Sequence, residues 1–151
     1  METDYTVRRI DEMESAFGGL LIRARAELGV TSFGMGIMEL PPNSGDMYPE
    51  HDHSHTSQEE VFVVLEGNGE IVLPDKTVEL DKDVVVRVGA ATRRRLRSGP
   101  SGLRFLAIGG TPGEPYTIQP NSELGAPETV AAAAQASSSM FEKSAPPQLD
   151  D

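Results

Sequence analysis

Short apolar segments separated by turn-forming residues fill the first 110 residues of this chain, and they constrain its fold more than any other feature. Gly and Asn form such turns because they accept positive φ, and Pro because it fixes φ. Gly67 and Gly69, for example, predict a tight turn between two strands. Many short strands at close spacing are typical of an all-β barrel or sandwich, so we predict an all-β fold. The predicted strand segments are Tyr5–Ile10, Leu20–Leu28, Ser32–Leu40, Glu60–Glu66, Glu70–Leu73, Thr77–Leu80, Asp83–Val88 and Leu103–Ile108.

Residues 5–118 are predicted to form one domain, because a chain of 151 residues can bury a core without disulfides or metal staples. The stretch that follows contains helix and strand breakers and runs of small residues. Low hydrophobicity of this kind is typical of disordered segments. We therefore predict a flexible low-complexity tail at 119–151. The alternative is a tail that Met140 and Phe141 anchor on the β domain or on a second subunit.

Composition argues against several classes of function. The sequence has no cysteine, which removes disulfides, thiolate metal sites and cysteine nucleophiles. Its formal net charge of -11 argues against nucleic acid as a partner, since phosphate binding needs a basic field. There is no apolar run long enough to span a bilayer, and the acidic first residues lack the pattern of a signal peptide. We therefore expect no membrane partner and a cytoplasmic protein.

All three histidines of the chain occur at alternate positions, His51, His53 and His55, just upstream of the carboxylates Glu59 and Glu60. Alternate positions on a strand share one face, so the imidazoles can converge on one point. Imidazole and carboxylate groups bind first-row transition metals such as Fe, Mn, Ni and Zn. The cluster therefore predicts a metal site, and the alternative is a solvated polar strand end. Only one of the two carboxylates can face inward, and strand period alone does not decide which.

The histidines, Glu60 and Gly67 follow a pattern of a glycine, five intervening residues and His-x-His, followed by a Glu and a Gly with six residues between them. This pattern resembles the first signature motif of the cupin superfamily, whose members are small antiparallel β-barrels of the jelly-roll type. Glu60 and Gly67 match it in full. The histidines match in two registers. In the first register, the pair His53-x-His55 has the motif's distance to Glu60. In the second register, the pair His51-x-His53 has the motif's distance from the preceding glycine, Gly45, and a looped strand end would accommodate the longer gap to Glu60.

The second cupin motif has its spacing preserved over residues 82–97, although every defining residue differs. Arg93 takes the position of the family's histidine ligand, and an arginine cannot bind a metal because it stays protonated. In that position Arg93 would point into the barrel mouth, where it could bind an anionic ligand or pair with Glu60. The third interpretation is an exposed basic strand. Strand alternation puts Arg93 and Arg95 on one face and Arg94 on the other.

The resemblance implies a barrel that binds a small organic ligand and pairs into a homodimer. It implies that a divalent transition metal (Fe, Mn, Ni or Zn) is bound, with ligands from His51, His53, His55 and Glu60. Arg93 or Arg95 would then bind and orient an anionic substrate. On this hypothesis the protein is a metal-dependent enzyme of the oxygenase or isomerase type that acts on a small organic acid. The alternatives are a non-catalytic small-molecule-binding module and a structural dimer with a degenerate metal site.

Overall fold

Antiparallel strands make up most of the computed structural model, which describes residues 2–128. The helical segments in that range are short. The all-β fold expected from the turn-separated segments is confirmed. In chain order the elements are a 3-10 turn at Ile10–Glu12, β1 (Ser15–Ala16), β2 (Leu21–Ile22), α1 (Ala24–Leu28), β3 (Gly34–Leu40), β4 (Glu59–Val72), β5 (Thr77–Leu80), β6 (Val85–Val88), β7 (Arg95–Gly110) and a second 3-10 turn at Pro120–Ser122.

The strands of the described range form one antiparallel sheet with the order β1-β2-β3-β7-β4-β5. β4 is the central strand, because β7 pairs with it along most of its length. On its other side, β6 pairs with the first half of β4 and β5 with the second half. The sheet curls into a barrel around the apolar core. The core includes Met38, Leu40, Phe62, Val64, Ile71, Leu96, Leu103 and Phe105.

The burial pattern along β4 shows which carboxylate faces the interior. Glu60, Phe62 and Val64 are buried, whereas Glu59 and Val61 on the opposite face are partly exposed. Full burial of the Phe62 side chain, which is 1% exposed, contributes roughly 1.5–3 kcal/mol. Glu60 therefore shares the buried face with apolar anchors that hold the strand in this register, because a one-residue slip would expose them.

The predicted turn at Gly67 and Gly69 is wrong, because β4 continues through both residues as a bulged strand paired with β7. Both glycines are required by the close approach of β7. A Cβ atom on Gly67 would lie 2.1 Å from the carbonyl oxygen of Gly102, and one on Gly69 would lie 2.2 Å from that of Arg97. Gly67 also has a φ of 80°, which residues with a side chain rarely adopt. The two predicted strands on either side are thus one strand.

The N-terminal segments also differ from the predicted strands. Residues 2–9 are exposed and form no strand, and Leu20–Leu28 divides into β2 and α1. The helix ends at Gly29, whose φ of 77° and backbone hydrogen bond to Arg25 form a left-handed cap. Within residues 2–128 the structure contains no helix with the length and hydropathy needed to cross a bilayer.

Residues 119–128 pack against the N-terminal part of the chain, although a flexible tail was expected from residue 119. The guanidinium group of Arg25 donates hydrogen bonds to Ser122 and Glu123. The described part of the domain therefore continues beyond the predicted boundary. The rest of the predicted tail, 129–151, including its predicted anchors, lies outside the described residues.

Candidate metal centre

Three buried side chains converge inside the barrel. One ligand atom from each of His51, His53 and Glu60 lies within 4.8 Å of the other two. The histidines are 0% and 1% exposed and the glutamate is 7% exposed. The Nε2 atom of His53 lies 3.4 Å from Oε1 of Glu60. The structure thus brings together three of the four residues expected as ligands, whereas His55 is exposed and lies outside this group.

The loop before β4 determines which two histidines join the group. Residues 54–57 form a turn. The gap from His53 to Glu60 is two residues longer than the family spacing, and this turn accommodates the two extra residues. The backbone N–H of Ser57 closes this turn by donating to the carbonyl oxygen of His53 at 2.8 Å. The structure therefore adopts the register that uses His51 and His53, and the next histidine lies on the turn itself.

Backbone hydrogen bonds connect this loop to the segment that precedes β7. The N–H of His51 donates to the carbonyl oxygen of Arg94 at 3.0 Å, and the N–H of Arg94 donates back to His51 at 2.9 Å. The N–H of His53 donates to the carbonyl oxygen of Ala90 at 2.7 Å. These bonds position the backbone at both histidines, which is the preorganisation that a metal site requires of its supporting residues.

The environment of His51 favours the neutral imidazole that a metal needs. Burial lowers the pKa of His51 well below its ordinary value of 6.5, and the positive charge of Arg94 lowers it further. The hydrogen bond to Pro49 acts in the opposite direction on this pKa. Because the carbonyl oxygen of Pro49 lies 2.8 Å from Nδ1, Nδ1 of the neutral ring carries the proton. The lone pair then resides on Nε2, the nitrogen available to a metal.

The buried polar atoms of His53 and Glu60 fit a bound cation. Both ring nitrogens of His53 and Oε1 of Glu60 make no hydrogen bond within the described residues, which costs roughly 1–3 kcal/mol for each buried group left unsatisfied. Ligand atoms held at about 2.1 Å from one ion lie about 3.0–3.4 Å apart, and these two side chains already have that separation. The chemistry and spacing of the donors therefore fit a divalent transition metal.

Arg94 lies at the edge of this group with a fully buried side chain. Its Nη1 atom lies 3.7 Å from Oε1 of Glu60, and its Nη2 donates a hydrogen bond to the carbonyl oxygen of Gly89 at 2.8 Å. Burial lowers the pKa of Arg94, and the negative charge of Glu60 opposes that shift. The group consequently contains one buried cation and one buried carboxylate.

The two inward interpretations of Arg93 are wrong, its exposed interpretation fits the structure, and Arg94 takes the inward place. Arg93 is exposed and forms an ion pair with Glu50. Arg95 pairs with Asp46 at 2.9 Å. The predicted division of faces is present, since Arg94 is buried and its two neighbours point to acidic partners outside. The role of Arg93 and Arg95 in substrate binding stays a prediction.

Tyr48 is a site residue that the sequence interpretation missed. Its side chain is fully buried, and its ring packs edge-to-face on His51 and on Phe105, with centroid distances of 5.2 and 5.6 Å. Burial raises the pKa of Tyr48 well above its ordinary value, and the negative charge of Glu60 adds to the increase. The phenol therefore stays protonated and shapes the wall behind His51. Its position outside a regular strand gave no periodic signal.

The fold is similar to that of solved cupin structures. A crystal structure of a cupin protein from Bacteroides fragilis superposes with a TM-score of 0.60 at 19% identity, and the alignment covers 78% of this chain and 93% of that one. An RmlC-like cupin protein from Desulfovibrio desulfuricans gives 0.48 at 18% identity, over 73% of this chain and 96% of that one. A cupin-2 domain protein from Shewanella frigidimarina gives 0.46 at 17% identity, over 61% and 78%. At these identities the likeness concerns the fold alone.

The sequence itself matches a family model. Residues 36–109 match the Cupin_2 model, described as the cupin domain. No curated protein matches the sequence. The matched range runs from β3 to the end of β7 and contains all three residues of the candidate metal centre. Residues 36–109 of this chain form a cupin domain.

Proposed function

We propose that the barrel binds one divalent transition metal through His51, His53 and Glu60, and that the metal-bound protein holds a small anionic organic ligand. The observation that carries this proposal is the convergence of three buried ligand groups, two of which have polar atoms without hydrogen-bond partners in the described chain. Iron, manganese, nickel and zinc all suit two imidazoles and a carboxylate. Three protein ligands leave coordination positions open to a small molecule.

The charges around the centre favour an anion as that small molecule. Glu60 carries one negative charge and Arg94 one positive charge, so these two neighbours cancel before a metal binds. A divalent cation would leave the buried site with an excess of about two positive charges, which is costly in a low-dielectric interior. A carboxylate ligand would offset part of that excess.

The activity that we propose is that of an oxygenase-type or isomerase-type enzyme acting on a small organic acid. A metal in this set supplies Lewis acidity or an oxygen-binding position. Arg94 stabilises negative charge next to Glu60, and its hydrogen bond to Gly89 keeps the guanidinium in place. Tyr48 and Phe105 exclude water from the side of the site that they cover.

A second candidate function is a metal-free barrel that binds a small anion, with Arg94 as its permanent cation. The distance of 3.7 Å between Arg94 and Glu60 favours it, because the guanidinium already neutralises the carboxylate that a metal would need. In this case the two histidines are polar residues of the wall. The role expected for Arg93 and Arg95 in attracting an anion applies to both candidates.

A homodimer is also proposed, as the resemblance to cupins implies. Tyr5, Val7 and Val85 are 76%, 75% and 64% exposed in the single chain, so large apolar side chains are available at its surface for such an interface. Light scattering of the purified protein tests the assembly, and a monomeric mass would contradict it. A cytoplasmic location stays a prediction.

Metal titration of the stripped protein tests the central proposal. We expect wild type to bind one equivalent of Zn(II) by calorimetry and His53→Ala to lose at least about tenfold in affinity, which corresponds to 1.4 kcal/mol. The matched control is His55→Ala, which removes an exposed histidine two residues away and should leave the affinity unchanged.

Three outcomes distinguish the candidates. Binding that requires His53 and tolerates His55→Ala supports the metal-dependent function. If wild type does not bind Zn(II) and the Arg94→Gln variant does, the result supports the metal-free anion-binding barrel. Equal losses for His53→Ala and His55→Ala would show that Zn(II) binds at a site that includes the exposed His55, which contradicts the buried centre.

A further inference from the structure

A cavity opens beside Glu60, between β3, β7 and the chain segments that flank the family match. One wall consists of small residues on paired positions of the two strands. Gly34 lies opposite Gly109, and Gly36 lies opposite Ala107. Gly109 is also the β7 partner of Glu60. Because these residues have little or no side chain, the sheet leaves open space directly next to the carboxylate of the metal centre.

The size of this cavity limits what can enter it. The cavity offers water-sized groups about 40 Å³ of space, and one water molecule needs about 10–15 Å³ of such space. The space therefore accommodates roughly three waters, or a group of three to four heavy atoms. A carboxylate with one attached carbon has that size.

Four polar residues from outside the matched range of residues 36–109 also line the cavity: Arg25 from α1, and Tyr116, Gln119 and Ser122 from the segment after β7. Three hydrogen bonds position the guanidinium group of Arg25, which is 4% exposed. It donates to the carbonyl oxygen of Val30 at 2.7 Å, to Ser122 at 3.2 Å and to Glu123 at 3.1 Å. Since a guanidinium has five N–H groups, one N–H on each terminal nitrogen remains for a ligand.

Tyr116 lies against the glycine wall. A Cβ atom on Gly34 would lie only 3.2 Å from both Cε1 and the hydroxyl oxygen of Tyr116, so the absence of a side chain on Gly34 allows the phenol to reach this position. Burial raises the pKa of Tyr116 above its ordinary value. The hydroxyl is therefore protonated at neutral pH and can donate a hydrogen bond to an oxygen in the cavity.

We propose that this cavity binds the carboxylate of a small organic acid, with Arg25 and Tyr116 as the ligand-binding residues and the metal centre at Glu60 on the other side. This inference rests on the proposed metal-binding function, because Glu60 lines the cavity whereas Arg94 does not, and a bound metal would offset the repulsion between Glu60 and an anion. Arg25 suits the role, since its planar fork matches a carboxylate. Its partner Glu123 is 54% exposed, so solvent screens that competing negative charge.

The test uses the full chain loaded with Zn(II), acetate as the probe and acetamide as its neutral isostere. We expect acetate to bind more tightly than acetamide. Arg25→Gln should weaken acetate binding by about 10- to 100-fold, as expected for the loss of a charge-assisted hydrogen bond, and leave Zn(II) affinity unchanged. Tyr116→Phe should weaken acetate binding by about three- to tenfold.

The matched control is Arg23→Gln. Arg23 is as buried as Arg25 and pairs with Glu14 at 2.6 Å, but it does not line the cavity. This substitution should lower stability and leave acetate affinity unchanged. Should Arg25→Gln fail to fold, Gly34→Ala replaces it. The added methyl group would push on Tyr116 and narrow the cavity, and the backbone at Gly34 does not have the positive φ that would strain an alanine.

The outcomes separate this inference from the metal proposal. Zn(II) binding together with acetate binding that depends on Arg25 or Tyr116 supports both. Zn(II) binding with acetate affinity unchanged in Arg25→Gln, Tyr116→Phe and Gly34→Ala overturns the carboxylate cavity and leaves the metal centre standing. Acetate binding that depends on Arg25 in a protein unable to bind Zn(II) supports the cavity and overturns the metal centre. A protein that binds neither Zn(II) nor acetate overturns both the carboxylate cavity and the metal centre.

Discussion

The Nη1 atom of Arg94 lies 3.7 Å from Oε1 of Glu60, and both side chains are buried. The same carboxylate oxygen lies 3.4 Å from Nε2 of His53. Glu60 is therefore shared between a permanent cation and the imidazole that would help to bind a metal. This sharing connects the stability of the barrel to the occupancy of the metal centre.

Loss of the Arg94 charge should destabilise the metal-free protein. In Arg94→Gln, Glu60 remains buried without its cation, and breaking a buried pair in this way costs roughly 3–5 kcal/mol. Urea denaturation of the stripped protein measures this change. The control is Arg93→Gln, whose exposed ion pair with Glu50 is worth at most about 1 kcal/mol. Equal stability of the two variants would contradict the pairing of Arg94 with Glu60.

A divalent metal should rescue the same variant. Zn(II) bound at Glu60 supplies the positive charge that Arg94→Gln removes, and without the guanidinium it meets less repulsion. We therefore expect the metal to raise the melting temperature of Arg94→Gln by more than that of wild type, in thermal scans at one fixed metal concentration. A smaller increase in the variant would mean that Arg94 assists metal binding.

The stability of the metal-free barrel should decrease as the solution becomes acidic. Burial lowers the pKa of His51 in the folded protein. Below about pH 6.5 the unfolded chain therefore binds a proton that the folded chain does not. As the pH decreases further, the free energy of unfolding falls by up to about 1.4 kcal/mol per pH unit. Above that pH this contribution is constant. His51→Asn should have a shallower slope than wild type, whereas His55→Asn should keep it. A slope unchanged in His51→Asn would show that His51 is protonated in the folded state.

The close approach of β4 and β7 should make Gly67 intolerant of substitution. Gly67→Ala combines a φ of 80° with a contact of 2.1 Å to the carbonyl oxygen of Gly102. Gly113 has a φ of 73° but open space around its Cβ position, so Gly113→Ala should lose only about 1–2 kcal/mol for the left-handed backbone. Chemical denaturation should show a larger loss for Gly67→Ala. Equal losses would mean that β7 moves away easily.

Residue period was enough to predict which residues share a face in β4 and around Arg94, and the match of Glu60 and Gly67 to the cupin motif selected Glu60 as the inward carboxylate. A strand places every second residue on one side, so Glu60 with Phe62 and Arg94 with Leu96 follow from spacing alone. The choice among the histidines could not follow in that way. It depends on the turn at residues 54–57, which lies outside regular strand geometry.

Contacts between distant parts of the chain explain what the sequence pattern did not reveal. Tyr48 enters the site from a loop, and Arg25 and Tyr116 meet at one cavity although they are far apart in sequence. Gly67 resembles a turn residue in isolation, and only the carbonyl oxygen of Gly102 shows that it is needed inside a strand. Such requirements arise from pairing partners that local spacing does not identify.

A crystal structure of the Zn(II)-loaded protein, with anomalous data collected at the zinc edge, tests the metal centre most directly. We expect one buried anomalous peak within about 2.0–2.2 Å of ligand atoms from His51, His53 and Glu60, with His55 outside its coordination sphere. A barrel in which the Arg94 guanidinium bonds directly to Glu60, with no buried peak or with zinc only at His55, would contradict the account.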